Sequence, residues 1–179
     1  MDIDTLIDAV IDREGGYTDH PADRGGATRY GITQRVARAE GYHGPMRHLP
    51  RAVAESIYRR LYWTRPRLDR IAERAPALAA ELFDTGVNMG PSVAIGFLQR
   101  ALNALDRDGT LLLPDGQVGP RTLAALDAFL AQRPTLGETV LTRACDALQG
   151  ERYVALTEQR PLNKAFLYGW LANRIGSTD

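Results

Sequence analysis

Cysteine is almost missing from this chain. Cys145 is the only one in 179 residues, so no internal disulfide can form. It sits in ETVLTRACDAL, where a helix face suits a small core residue better than a nucleophile. Lysine is as scarce: Lys164 stands alone, and arginine carries nearly all the positive charge. The formal net charge is zero, which excludes strong electrostatic attraction to nucleic acid or an anionic membrane. No long uncharged apolar run is present to span a bilayer, so no stable membrane association is expected. The opening MDIDTLIDAV lacks the basic flank and continuous apolar stretch of a signal peptide. The chain is therefore expected to be made in the cytoplasm, and to act outside it only after release. His20, His43 and His48 are the only histidines, and no H-E-x-x-H pattern joins them, so neither a metal nor another cofactor is expected. The DRDG and DGQ turns lack the alternating ligands and sixth-position glycine of a calcium loop. Internal repeats and flexible linkers are also missing.

What remains is mostly helical pattern. Ile3, Leu6, Ile7, Val10 and Ile11 form an apolar stripe of helical period, with Asp2 and Asp4 at its start. QRVARAEG (34–41) reads as a short helix ended by Gly41, and RAVAESIYRRLY (51–62) as a longer one before a break at Pro66. PALAAELFDTGVN (76–88) begins with proline at a favourable first helical position. Further helices are expected over 91–105, 120–133, 138–158 and 162–175. Strand signal is weak, with a small hairpin around Thr18 to Ile32 as the best candidate. Trp63 and Trp170 read as core residues rather than carbohydrate platforms.

One residue stands out. Gly15 and Gly16 stop the first helix, and its stripe, extended by three or four residues, lands on Glu14. Glu14 is thus expected on the apolar face, at the negative end of the helix dipole. Both effects disfavour the charged carboxylate and favour the protonated acid that general-acid catalysis needs. The competing reading is an ordinary helix-end glutamate, solvated or paired with one of the many arginines.

The loop after it, GGYTDHPADRGGATRYGIT (15–33), carries two further carboxylates, Asp19 and Asp23, then Thr28 and Tyr30. Glycoside hydrolysis needs an acid on the leaving oxygen and a second group across the sugar. Asp23 and Thr28 lie in a glycine-punctuated segment able to fold back on Glu14. Asp19-His20-Pro21 and Asp23-Arg24-Gly25-Gly26 are also plain turn sequences, so the choice between the two aspartates stays open. Tyr30 can line a sugar cleft. Asp84 and Asn88, four apart on one helix face, are candidates for substrate contact or for a structural polar pair.

EGGY (14–17), DRGG (23–26) and ATRYGIT (27–33) resemble the signature of glycoside hydrolase family 108, the N-acetylmuramidases, formerly labelled secretion activators. The resemblance continues through YW (62–63), LFDTGVNMGP (82–91), FLQRALN (97–103), DGQVGPRTLAAL (115–126) and FLYGWLANR (166–174), nearly the whole chain. It implies a mainly α, lysozyme-like helical fold with a small β-hairpin next to the active site. Residues 1–95 would be the catalytic region and 96–179 a helical peptidoglycan-binding-like region packed into the same globule. It further implies a peptidoglycan hydrolase that cleaves the β-1,4 bond between N-acetylmuramic acid and N-acetylglucosamine. Glu14 becomes the catalytic acid, and Asp23 and Thr28 the residues that position or activate water. The partner would be peptidoglycan glycan strands, the protein a monomer. The preferred context is a phage or prophage endolysin released through a holin pore.

Two other classes compete. A metal-dependent peptidoglycan amidase or peptidase would need a ligand cluster that three scattered histidines and one cysteine do not provide. A non-catalytic wall-binding or secretion-assisting protein would not need Glu14, Asp23 and Thr28 together.

Overall fold

The computed structural model describes residues 2–19, 26–106 and 111–176. Asp23 and His20 lie outside these residues. The chain divides into two compact units, Met1–Arg65 and Pro66–Asp179. Its class is the expected one: mainly α, with a small antiparallel sheet.

In the first unit, α1 (Ile3–Glu14) buries Ile7, Val10 and Ile11 along the stripe visible in the sequence. It packs on α3 (Arg51–Tyr58), whose buried positions are Ala54, Ile57 and Tyr58. At the edge of this pair, the Arg51 guanidinium reaches Asp8 at 2.6 Å and Asp12 at 2.7 Å on α1. Exposed pairs of this kind fix orientation more than they stabilise. α2 (Gln34–Ala39) starts at Thr33, whose hydroxyl accepts from the Val36 N–H at 3.3 Å as an N-cap.

The expected small hairpin is present as part of a three-stranded sheet, β1 (Tyr17–Thr18), β2 (Thr28–Arg29) and β3 (Ile32–Thr33), in the order β1-β2-β3. Strands of two residues are too short for alternation to reveal them. The helix expected over 51–62 is α-helical only to Tyr58; Arg59–Thr64 form a wider π-helical segment. There the Arg65 N–H bonds back to the Arg60 carbonyl at 3.0 Å.

In the second unit, α5 (Pro76–Met89) packs against α4 (Leu68–Ala72), α6 (Pro91–Leu105) and α8 (Gly137–Gln159). Leu78, Leu82 and Phe83 are almost fully buried on α5, as are Ile95 and Leu98 on α6 and Leu141 on α8. Burial of each such side chain is worth about 1.5–3 kcal/mol. α7 (Pro120–Gln132) joins α6 and α8, and α9 (Lys164–Arg174) lies on α8. The turn-rich stretch before α7 is held by Gln99, 2% exposed, whose amide donates to Asp115 at 2.8 Å and accepts from the Gly116 N–H at 2.9 Å. Cys145 is buried on α8, as expected, and burial pushes its thiol well above the usual range. The tryptophans depart from expectation. Trp63 and Trp170 are half-buried, and Trp170 stacks on Tyr153 with ring centroids 5.1 Å apart. Among the described residues, no helix is long and apolar enough to cross a membrane.

Candidate active site

Glu14 is the last residue of α1, and Gly15 ends the helix with φ of 74° while its N–H bonds to the Ile11 carbonyl at 3.2 Å. Only glycine takes that backbone region freely. The carboxylate does not follow the buried stripe as expected: Glu14 is exposed. The stripe ends at Ile11, and three residues further the side chain has passed the edge of the packed face.

Its aliphatic part is nevertheless enclosed. β2 and β3 are joined by Tyr30 and Gly31, with φ of 54° and 73°, the positive pair a tight I′ hairpin turn requires. A Cβ at Gly31 would lie 2.9 Å from Glu14 Cγ and 2.6 Å from the Tyr58 hydroxyl. The turn therefore touches both the end of α1 and α3 because Gly31 has no side chain. Tyr30 is held in its uncommon conformation by the Tyr58 hydroxyl, which donates to the Tyr30 carbonyl at 2.9 Å.

Tyr58 and Tyr62 face the same carboxylate. Burial, then the negative charge of Glu14, pushes both phenols above their usual range, so they stay neutral. Their rings are 5.6 Å apart. Neither was singled out from the sequence as part of the site; the only signal was an aromatic pair spaced by four in a helix that abuts the loop. No hydrogen bond or ion pair engages Glu14 among the described residues, so the alternative of an arginine partner is not realised there.

Thr28 is half-buried on β2, paired with Thr18 on one side and Thr33 on the other, and its hydroxyl donates to the Gly26 carbonyl at 3.3 Å. It thus belongs to the hairpin whose turn rests on Glu14. The Tyr30 ring lies under the Arg29 guanidinium at 4.9 Å, and its hydroxyl accepts from Arg29 at 3.2 Å. Asp19 is exposed just after β1 and accepts from the Tyr17 hydroxyl at 2.8 Å.

Asp84 and Asn88 belong to α5 in the second unit. The Asn88 amide donates to the Asp84 carbonyl at 2.8 Å and its carboxylate at 3.1 Å, and Arg174 approaches the same carboxylate at 3.5 Å. Asn88 also lines a cavity of about 320 Å³ beside Tyr153 and Trp170. Among the described residues, no group of three or more His, Cys, Asp or Glu side chains is arranged to hold a metal ion.

Comparison with known proteins gives this geometry a context. Residues 7–90 match the family model described as glycosyl hydrolase 108, and residues 93–175 the one described as a predicted peptidoglycan domain. No curated protein matches the sequence. Among solved structures, SagA of Brucella abortus is similar in fold, with a TM-score of 0.69 at 24% identity over 98% of this chain and 90% of that one. The two models follow one another in the expected order over nearly the whole chain, and Glu14, Thr28 and the hairpin fall in the first. Residues 7–90 thus carry a glycosyl hydrolase 108 domain followed by a predicted peptidoglycan domain, which together support a peptidoglycan-related glycoside hydrolase.

Proposed function

We propose that the protein is an N-acetylmuramidase, hydrolysing the β-1,4 bond between N-acetylmuramic acid and N-acetylglucosamine in peptidoglycan. The observation that carries this reading is the Glu14 carboxylate, exposed and without an arginine partner among the described residues, against a glycine-enabled hairpin turn and two neutral tyrosines. A general acid must be reachable by the glycosidic oxygen and must not be locked in an ion pair.

In the proposed reaction, Glu14 gives its proton to the leaving oxygen as the bond from that oxygen to the anomeric carbon breaks. Asp23 and Thr28 hold a water on the opposite face. The water attacks the anomeric carbon and passes its proton to Asp23, so the configuration inverts. An inverting pair of carboxyl groups stands roughly 6.5–9.5 Å apart, leaving room for that water. Tyr30 and the half-buried Tyr62 offer aromatic surface to the sugar, while buried Tyr58 holds the turn through the Tyr30 carbonyl.

The biological setting we favour is a phage or prophage endolysin that reaches the wall through a holin pore. A zymogram on purified peptidoglycan, followed by analysis of the new chain ends, tests the chemistry. New reducing muramic acid ends support it. New amino groups would instead mean an amidase or peptidase.

A further inference from the structure

A cavity of about 260 Å³ opens between α6, α7 and the stretch that begins at Leu111, all within the second unit. Leu102, Leu112 and Phe129, each nearly buried, supply its apolar base. Ala125 and Ala128 of α7 line it with methyl groups only, which leaves the space unfilled. Its rim is preformed. The Asn103 amide grips the backbone of Leu112 from both sides, donating to the carbonyl at 2.9 Å and accepting from the N–H at 2.7 Å.

Two cations, Arg121 and Arg133, and one carboxylate, Asp106, line the same cavity. Arg133 lies over the Phe129 ring at 4.5 Å and donates to the Leu105 carbonyl at 3.2 Å. Arg121 donates to the Leu111 carbonyl at 3.2 Å. Carbonyls orient these guanidinium groups without neutralising them, and neither has a carboxylate partner among the described residues. Arginine presents a planar fork of donors that fits a carboxylate with two parallel bonds. Exposed Leu111 and Leu113 extend the apolar surface beside them.

We infer that this cavity binds the acidic, alanine-bearing peptide stem of peptidoglycan, not its glycan; the inference rests on the reading of the chain as a peptidoglycan hydrolase. The glycan offers hydroxyls and neutral acetamides, a poorer match for a methyl-lined pocket in which two arginines outnumber the single Asp106 carboxylate. One face of Phe129, the aromatic ring at the site, is taken by Arg133. The peptide stem offers both complements: small methyl side chains for the alanine-lined pocket and free carboxylates for the arginines.

The test is calorimetric titration of the full chain with a synthetic stem tetrapeptide, alanyl-γ-D-glutamyl-diaminopimelyl-D-alanine, and separately with chitotetraose. The tetrapeptide should bind saturably. Binding should weaken at least about tenfold in the Arg121→Gln/Arg133→Gln double variant, the loss of a charge-assisted pair. It should weaken likewise in Ala128→Trp, which fills the cavity from an exposed helix position while chitotetraose binding holds. No tetrapeptide binding to the unaltered chain overturns the inference. So does equal binding by Ala128→Trp, or loss of chitotetraose binding in that variant. Release of reducing ends from whole peptidoglycan separates the two readings. Hydrolysis without tetrapeptide binding sinks only the peptide site, and tetrapeptide binding without hydrolysis sinks only the muramidase.

Discussion

At Glu14 the useful distinction is between the carbon stem and the carboxylate it carries. The stem packs where a glycine leaves room for it, and the carboxylate faces solvent and two tyrosines. Glu14→Gln keeps the stem and removes the transferable proton. Lytic activity should drop by at least ~10²-fold, measured as turbidity loss of a wall suspension, while the melting temperature stays near that of the parent protein. Near-normal lysis by a folded Glu14→Gln protein would refute the assignment. Gly31→Ala is the complementary test. Its methyl would stand 2.6 Å from the Tyr58 hydroxyl and 2.9 Å from Glu14 Cγ, in a positive-φ conformation that already disfavours alanine. Both activity and stability should fall, the latter by about 1–3 kcal/mol in denaturant titration. Unchanged stability would mean that the turn does not rest on the helix end as described.

Long elements were legible because they repeat the helical apolar period several times. The helices at 76–89, 91–105 and 120–132 lie within a residue or so of their expected limits. α4 went unseen because five residues show little more than one turn of pattern. The stripe argument also misplaced Glu14, since it takes every position on a helical line to be equally buried, whereas burial ends where the neighbouring element ends. Asp23 cannot be weighed in the same way, because it lies outside the described residues. Periodicity was equally silent about the burial of Glu81 on α5, which is only 5% exposed. Burial, then the charges of Asp146 and Asp84, raises its acid from 4.5 to about 7, while a hydrogen bond from the Thr85 hydroxyl pulls the other way. Cys145 and Tyr153 of α8 sense the same charge, and Arg174 of α9 approaches Asp84. With the folded acid weaker than the unfolded one, stability is full below pH 4.5 and is lost as pH rises to about 7. The loss amounts to roughly 3 kcal/mol at most. Glu81→Gln should therefore raise the melting temperature above pH 7 and change it little below pH 4.5, as followed by circular dichroism. Parallel melting curves across that range would show that Glu81 is not desolvated.

For the molecule as a whole, the family boundary and the structural one do not coincide. The glycosyl hydrolase model ends at residue 90 and the next begins at residue 93, whereas the second compact unit runs from Pro66. α5 lies in the first model, yet its partners α6 and α8 lie in the second. A fragment of residues 1–90 would expose Leu78, Leu82 and Phe83, so it should lack a cooperative thermal transition and aggregate. A soluble, active fragment would show that α5 does not depend on those helices. The lone thiol offers a different use of the same packing. Cys145 is the chain's only sulfhydryl and is sealed between helices, so a maleimide can reach it only when that seam parts. The labelling rate is then a clock for how often the second unit opens, read by mass spectrometry from one site, with no engineered probe.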